Sequence, residues 1–185
     1  MKIVVAITGA SGVIYGKRLL EVLSEKNIET HLIISEGAKE IIVSELSLKK
    51  DDIERLATHA YQINDLSSPL SSGSFITDGM VIVPCSSKTL AGIANGYSDN
   101  LILRAAEVTI KQGRKLILVP RETPVSAIQL ENMLKLARLG VVILPAMPAF
   151  YHDPKSIDDL IDFIVGKILD SLNIEHNLFK RWANK

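Results

Sequence analysis

The sequence predicts a single α/β domain, an open parallel sheet with helices on both faces. Three observations carry this. Five short runs rich in Ile, Val and Leu alternate with amphipathic stretches. Strands buried on both faces read as continuous apolar runs, and parallel neighbours need a crossover, usually a helix. The first run passes through a turn of small residues straight into a helical pattern. Finally, the residues just after the runs are rich in hydroxyls, small side chains and cations. In open parallel sheets, that is the edge where ligands bind.

Taken in order, residues 2–8 form the first strand and Gly9-Ala10-Ser11-Gly12 the tight turn. Residues 13–26 form a helix with Leu19, Leu20 and Leu23 on one face and Lys17, Arg18, Glu21, Glu25 and Lys26 elsewhere. Residues 30–34 form the second strand, which ends at Ser35-Glu36-Gly37, and a helix runs over 38–46. Asp51-Asp52 precedes a short helix at 53–57 and supplies its cap. The serine-rich stretch 67–74 is a loop, a connector or a cover over a site. Residues 79–84 form the third strand, which leads into Cys85-Ser86-Ser87-Lys88-Thr89 and a helix over 90–95. A helix over 99–112 follows, then the fourth strand at 115–120 and the loop Arg121-Glu122-Thr123-Pro124. A helix at 126–139, a fifth strand at 141–144, a proline-bearing loop at 145–154 and a helix at 157–172 complete the alternation. Residues 173–185 are a polar tail with the single tryptophan, Trp182. The 185 residues show no repeat and no internal boundary, so one domain is expected.

Lys+Arg and Asp+Glu both total 21, so no global field favours nucleic acid or an anionic membrane. Cys85 is the only cysteine, which excludes an internal disulfide and points to a reducing compartment. The apolar run after Met1-Lys2 is broken by Thr8 and Gly9, which disfavours a signal peptide. No stretch reaches the ~20 apolar residues of a membrane span. The expected location is cytoplasmic.

A strand, a glycine turn and a helix aim N–H groups and a helix dipole at one point, which suits a phosphate. The turn reads Gly9-Ala10-Ser11-Gly12-Val13-Ile14-Tyr15-Gly16, so the second glycine of a dinucleotide fingerprint is displaced. A Walker lysine and a G-x-S-x-G elbow are both missing. Glu36 is placed either to hold a ribose or to cap a helix. The pattern fits one phosphate, that of a mononucleotide, with Ser86, Ser87 and Thr89 at a second strand-to-helix junction. Those hydroxyls either meet that phosphate or cap their helix. His31, His59, His152 and His176 are scattered, with no H-x-x-x-H, so no metal site is expected and His31 reads as a packed or edge histidine. Among the cations, Arg104, Lys111, Arg121, Lys167 and Arg181 are candidates. Arg104 and Lys111 stand seven apart on one helix face, a spacing that alone suggests a solvated face. Arg121 directly follows a buried strand beside Glu122, where a phosphate or carboxylate is expected.

With these residues assembled, the chain resembles the UbiX-type flavin prenyltransferases, relatives of the flavin-containing cysteine decarboxylases. The matching stretches are Thr8-Gly9-Ala10-Ser11-Gly12, Pro84-Cys85-Ser86-Ser87-Lys88-Thr89-Leu90-Ala91, Asp99-Asn100-Leu101 with Arg104-Ala105-Ala106-Glu107-Val108, Leu118-Val119-Pro120-Arg121-Glu122-Thr123-Pro124, and Pro148-Ala149-Phe150-Tyr151. The resemblance implies a Rossmann-like flavoprotein fold over residues 1–185. It implies reduced FMN as prenyl acceptor, dimethylallyl phosphate as donor, and no metal. Prenylated FMN and phosphate would be the products, the former serving a UbiD-type decarboxylase.

Carried over position by position, Gly9, Ala10, Ser11, Ser35, Ser86, Ser87, Lys88, Thr89 and Arg121 look like FMN contacts. Tyr151, Lys167, Lys111, Arg104 and Arg121 look like donor-phosphate contacts, in part from a neighbouring subunit. Ser11, Glu45, Glu122, Tyr151 and Trp182 match positions of the reaction centre. Many members carry Arg where Lys167 stands, so the charge is kept and the bidentate fork is lost. The family forms large symmetric homo-oligomers, typically dodecamers. An FMN-dependent cysteine decarboxylase is the alternative, but its usual P-x-S-A-N-T segment and its histidine after the second helix are absent. A non-catalytic FMN-binding subunit is a third reading, against which the set Arg121, Glu122, Tyr151 and Lys167 argues.

Overall fold

The structure, a computed structural model, describes residues 1–182. Six parallel strands form one sheet: β1 (Lys2–Ile7), β2 (Glu29–Ile34), β3 (His59–Tyr61), β4 (Gly79–Cys85), β5 (Lys115–Pro120) and β6 (Val142–Ile143). Their spatial order is β3-β2-β1-β4-β5-β6. The chain moves outward from β1 through β2 to β3, then crosses back to β4 on the other side of β1. This switch between β1 and β4 opens a crevice at the carboxyl ends of the strands. The helices are α1 (Val13–Glu25), α2 (Glu36–Leu46), α3 (Lys50–Glu54), α4 (Ser87–Ala94), α5 (Leu101–Lys111), α6 (Ala127–Ala137) and α7 (Ile157–Ser171).

Strand periodicity sorts the core into two layers. Ile3, Val5 and Ile7 of β1 face one side with Leu32, Ile34, Val81 and Val119, against α1, α2 and α7. Val4 and Ala6 face the other with Ile33, Met80, Ile82 and Leu118, against α4, α5 and α6. Arg18 ties α1 to α7, its Nε donating to Asp162 at 2.7 Å. Among the described residues, no helix is long and apolar enough to cross a membrane.

The structure departs from the sequence reading at several places. β3 is an additional edge strand, missed because it is three residues long and mostly exposed. The last strand shrinks from 141–144 to Val142–Ile143. α2 begins at Glu36 and α4 at Ser87, each earlier than expected, because their polar first turns add nothing to the apolar period. The short helix predicted at 53–57 lies at Lys50–Glu54, and Asp52 accepts from the Lys49 N–H at 2.8 Å.

The tail is anchored to α7. Arg181 donates to Asp170 Oδ1 and Oδ2 at 2.8 and 3.2 Å, and His176 Nε2 lies 3.1 Å from Oδ1. Desolvation pushes the Asp170 carboxyl up. The Arg181 hydrogen bond and the His176 and Arg181 charges outweigh it, and hold the group below the usual carboxylate range. A depressed folded pKa stabilises above the unfolded value, about 3.9, and the contribution is lost as pH falls through the folded one. Acid titration is therefore expected to release the tail. Fluorescence of Trp182, the only tryptophan, should report it, and Asp170→Asn should show the released signal at neutral pH. Identical profiles for both proteins would contradict this anchoring.

Candidate functional site

Three helix N-termini meet on one cleft of about 540 Å³ at the carboxyl edge of the sheet. α2 contributes Ser35, Glu36 and Gly37; α4 contributes Ser86, Ser87, Lys88 and Thr89; the start of α5 contributes Asp99 and Asn100. Gly9 and Ala10 from the turn after β1, and Arg121 and Glu122 after β5, complete the polar wall. Ile63, Ile102 and Leu103 add an apolar part.

The hydroxyls here serve as caps as well as lining. Ser35 Oγ accepts from the Ala38 N–H at 3.2 Å, and Ser86 Oγ from the Thr89 N–H at 3.3 Å. Asn100 caps α5 by accepting from the Leu103 N–H at 3.1 Å. The N–H groups of Glu36, Gly37, Ser87 and Lys88, in the first turns of α2 and α4, have no intrahelical partner. They sit on the positive ends of two dipoles beside the Lys88 ammonium and the Arg121 guanidinium, a donor set matched to a phosphate. The buried Thr8 fixes this arrangement: its hydroxyl donates to the Pro84 carbonyl at 2.7 Å and accepts from the Ser86 N–H at 2.8 Å.

The start of α1 behaves differently from the sequence reading. Gly12 adopts φ +97°, where a side chain would be strained, and so lets the turn enter the helix. The N–H groups expected to face a phosphate are taken by the chain itself. Glu45 Oε2 accepts from Gly12 at 2.9 Å and from Val13 at 3.3 Å. Ser11 is exposed and lies off the cleft wall, and its carbonyl accepts from Arg121 Nε at 3.3 Å.

Glu122 belongs to a three-residue network. Its Oε2 accepts from Ser87 Oγ at 2.9 Å and from Gln129 Nε2 at 3.4 Å, and Gln129 also donates to Ser87 Oγ at 2.6 Å. Sequence reading missed Gln129. Its one local signal is the Ser126-x-x-Gln129 capping box that starts α6. Cys85 is buried at the end of β4, and desolvation pushes its thiol up to about 12, so it supplies no thiolate near neutral pH.

The remaining candidates gather elsewhere on the chain. Tyr151 meets Trp182 edge-on at 5.3 Å, and Lys167 on α7 lies 3.7 Å from Asp170. Arg104 and Lys111 lie on α5, on the opposite face of the sheet from α7. Arg104 donates to the Ser71 carbonyl at 3.2 Å and to Glu107 at 2.9 Å. One chain therefore gathers Gly9, Ala10, Ser35, Ser86, Ser87, Lys88, Thr89 and Arg121 on one cleft and leaves Ser11 off it, and it does not bring Tyr151, Lys167, Lys111, Arg104 and Arg121 to one point.

Comparison with known proteins decides the family. The Flavoprotein family model matches residues 1–169. A flavin prenyltransferase UbiX of Methanocaldococcus jannaschii is 56% identical over 183 residues, 99% of each chain. The chain belongs to the UbiX flavin prenyltransferase family. Two solved relatives extend the likeness to the backbone. The dodecameric FMN-dependent UbiX-like decarboxylase of Escherichia coli O157:H7 superimposes with a TM-score of 0.96, at 49% identity, over 98% of this chain and 99% of that one. AnUbiX, in complex with FMN and dimethylallyl pyrophosphate, also gives 0.96, at 48% identity over 98% and 96%. The cleft described above lies at the carboxyl edge of the strands beside the switch between β1 and β4, where open α/β sheets bind their ligands.

Proposed function

We propose that the chain transfers a dimethylallyl group from dimethylallyl phosphate to N5 and C6 of reduced FMN, giving prenylated FMN and phosphate for a UbiD-type decarboxylase. The observation that carries this is the meeting of three helix N-termini beside Arg121 and Glu122. It supplies a phosphate cradle, and Ile63, Ile102 and Leu103 supply an apolar wall for a flat ring. A reducing, cytoplasmic setting fits the single buried cysteine.

Reduced FMN offers the nucleophilic N5 and C6. Ser35, Ser86, Ser87, Lys88 and Thr89, with the open amides of α2 and α4, would hold its phosphate. Gly9, Ala10 and Arg121 would line the rest of the nucleotide, and Ser11, off the cleft wall in the single chain, would meet it from the turn. Tyr151 and Lys167 would bind the donor phosphate together with Arg104 and Lys111 of a neighbouring subunit, because α5 and α7 lie on opposite faces of one sheet. The exposed Ile128, Leu130 and Leu134 on α6 and Phe150 before α7 favour such an assembly, since large exposed apolar side chains mark interfaces. A homododecamer would match the E. coli relative.

An allylic phosphate departs with cationic character on the carbon fragment, so cations and a phenol at the phosphate assist without a metal. Trp182, 64% exposed on one chain, would place its ring against that fragment. Glu122 would protonate the departing phosphate, and Glu45 or Ser11 would relay a proton at the ring.

Anaerobic incubation with reduced FMN and either dimethylallyl phosphate or its pyrophosphate, followed by mass spectrometry, tests the reading. A flavin enlarged by one dimethylallyl unit is expected. No new flavin would overturn the proposal, and carbon dioxide from a cysteinyl peptide would favour a cysteine decarboxylase. Lys167→Met should raise the donor KM about 10–100-fold, the loss of one charged hydrogen bond, with kcat nearly unchanged. A fall in kcat at constant KM would instead place Lys167 at the transition state.

A further inference from the structure

At the edge of the sheet opposite the cleft, the first residues of β1, β2 and β3 converge. β2 and β3 pair in register with His31 beside His59, and the two rings stack at 4.9 Å. Glu29 lies two residues before His31, on the same face of β2. Its Oε1 is 3.0 Å from His31 Nε2 and 3.6 Å from His59 Nε2. One ligand atom from each of the three residues lies within 4.8 Å of the other two. Ligand atoms at ~2 Å from one zinc ion stand ~3–4 Å apart, so small side-chain rotations close the set. Neither the scatter of histidines along the sequence nor a missing H-x-x-x-H excludes this cluster, because strand register, not helix spacing, assembles it.

His31 has the surroundings of a ligand. Its ring is 2% exposed, and Nδ1 lies 3.0 Å from the Tyr61 hydroxyl. Without a cation, Nε2–H donates to Glu29 and the Tyr61 O–H donates to Nδ1. With a cation at Nε2, the proton moves to Nδ1 and donates to the phenol oxygen, so the same hydroxyl serves both states. His59 is half-exposed and leaves the fourth position open to water. Lys2 Nζ stands 3.6 Å from Glu29 Oε1 and is the resident competitor. Its side chain is 42% exposed on a long flexible stem, so it can withdraw into solvent. Two imidazoles and one carboxylate select zinc over the hard cations magnesium and calcium.

We propose that Glu29, His31 and His59 form a zinc site that clips the short edge strand β3 to β2. The site lies at the amino ends of the strands, away from the cleft, and takes no part in prenyl transfer.

The test uses the full-length, untagged, chelator-stripped protein titrated with zinc chloride by calorimetry. One zinc per chain is expected, and at least ten-fold weaker binding in both His59→Ala and Glu29→Gln. Cobalt substitution should give the visible bands of a four-coordinate site in the parent protein and lose them in His59→Ala. Zinc should also raise the thermal midpoint of the parent protein alone. His59 is a surface side chain, so its variant keeps the fold, which circular dichroism checks. Absence of binding to the parent protein, or binding to either variant as tight as to the parent, would overturn the site.

Discussion

Glu122→Gln is expected to slow prenyl transfer by about 10²–10⁴-fold, the usual contribution of a positioned general acid. The amide keeps the volume of the side chain, and its oxygen still accepts from Ser87 and Gln129, so the cleft wall stays in place. What disappears is the proton that Glu122, as the proposed acid, would give the leaving phosphate. The loss should fall on kcat with little change in the KM for either substrate, because the proton is needed only as the bond to oxygen breaks. Anaerobic rapid-quench measurement of phosphate release reads the step directly. Release at the parent rate would remove Glu122 as the acid and leave it a wall residue. The network gives this experiment its force: Ser87 and Gln129 both engage Oε2, while Oε1 has no hydrogen-bond partner among the described residues.

Gly16→Ala is expected to destabilise the fold by about 2–3 kcal/mol, within the range of over-packed cores. A Cβ here would stand 2.6 Å from the Val83 carbonyl oxygen and 2.9 Å from Ile7 Cγ1 and Cδ1. Helix propensity alone favours alanine by about 1 kcal/mol, so the sign rests on the clash. The nearest atom is backbone in a central strand, and it cannot rotate away as a side-chain end could. For a chain of this size the thermal midpoint should fall by about 4–12 °C, read by calorimetry or circular dichroism. An unchanged or higher midpoint would mean that β4 yields without cost. FMN affinity should fall as well, because β4 carries the start of α4 into the cleft.

Much of the fold was legible because central parallel strands announce themselves. β1, β4 and β5 are apolar on both faces, and the runs at 2–8, 79–84 and 115–120 located them within about one residue. β3 was not legible, since three residues reading His-Ala-Tyr carry neither an apolar run nor a measurable alternation. That Ser35, Ser86, Arg121 and their neighbours share one cleft could be anticipated, because they follow the carboxyl ends of neighbouring parallel strands. That the Ser86 hydroxyl caps its helix was one of two readings open at that junction, and the geometry shows the cap; at the end of β2 the sequence suggested Glu36 for a cap, and Ser35 supplies it. The part played by Glu45 was hidden for a different reason. Its partners are 33 and 32 residues away, and no local pattern links a glutamate in the last turn of α2 to a turn that distant. The same holds for Gln129 and Ser87, which meet only once α6 folds back toward α4. Arg104 was ambiguous from spacing, and its bonds to Ser71 and Glu107 make it a structured side chain rather than a freely solvated one.

The carboxylate of Glu45 on the first turn of α1 has a consequence for how a ligand lies. The sheet edge presents several positive helix ends, and the first amides of one of them are already taken by a carboxylate of the chain itself. An anion approaching α1 is repelled there, whereas α2 and α4 still offer unclaimed amides. The cleft therefore has a compass. A molecule with one anionic end and one uncharged end can settle in a single heading, its phosphate toward α2 and α4 and its ring toward the glycine turn. Orientation would then be set before any contact with the ring is made, by an internal anion occupying the one berth where a phosphate would point the wrong way.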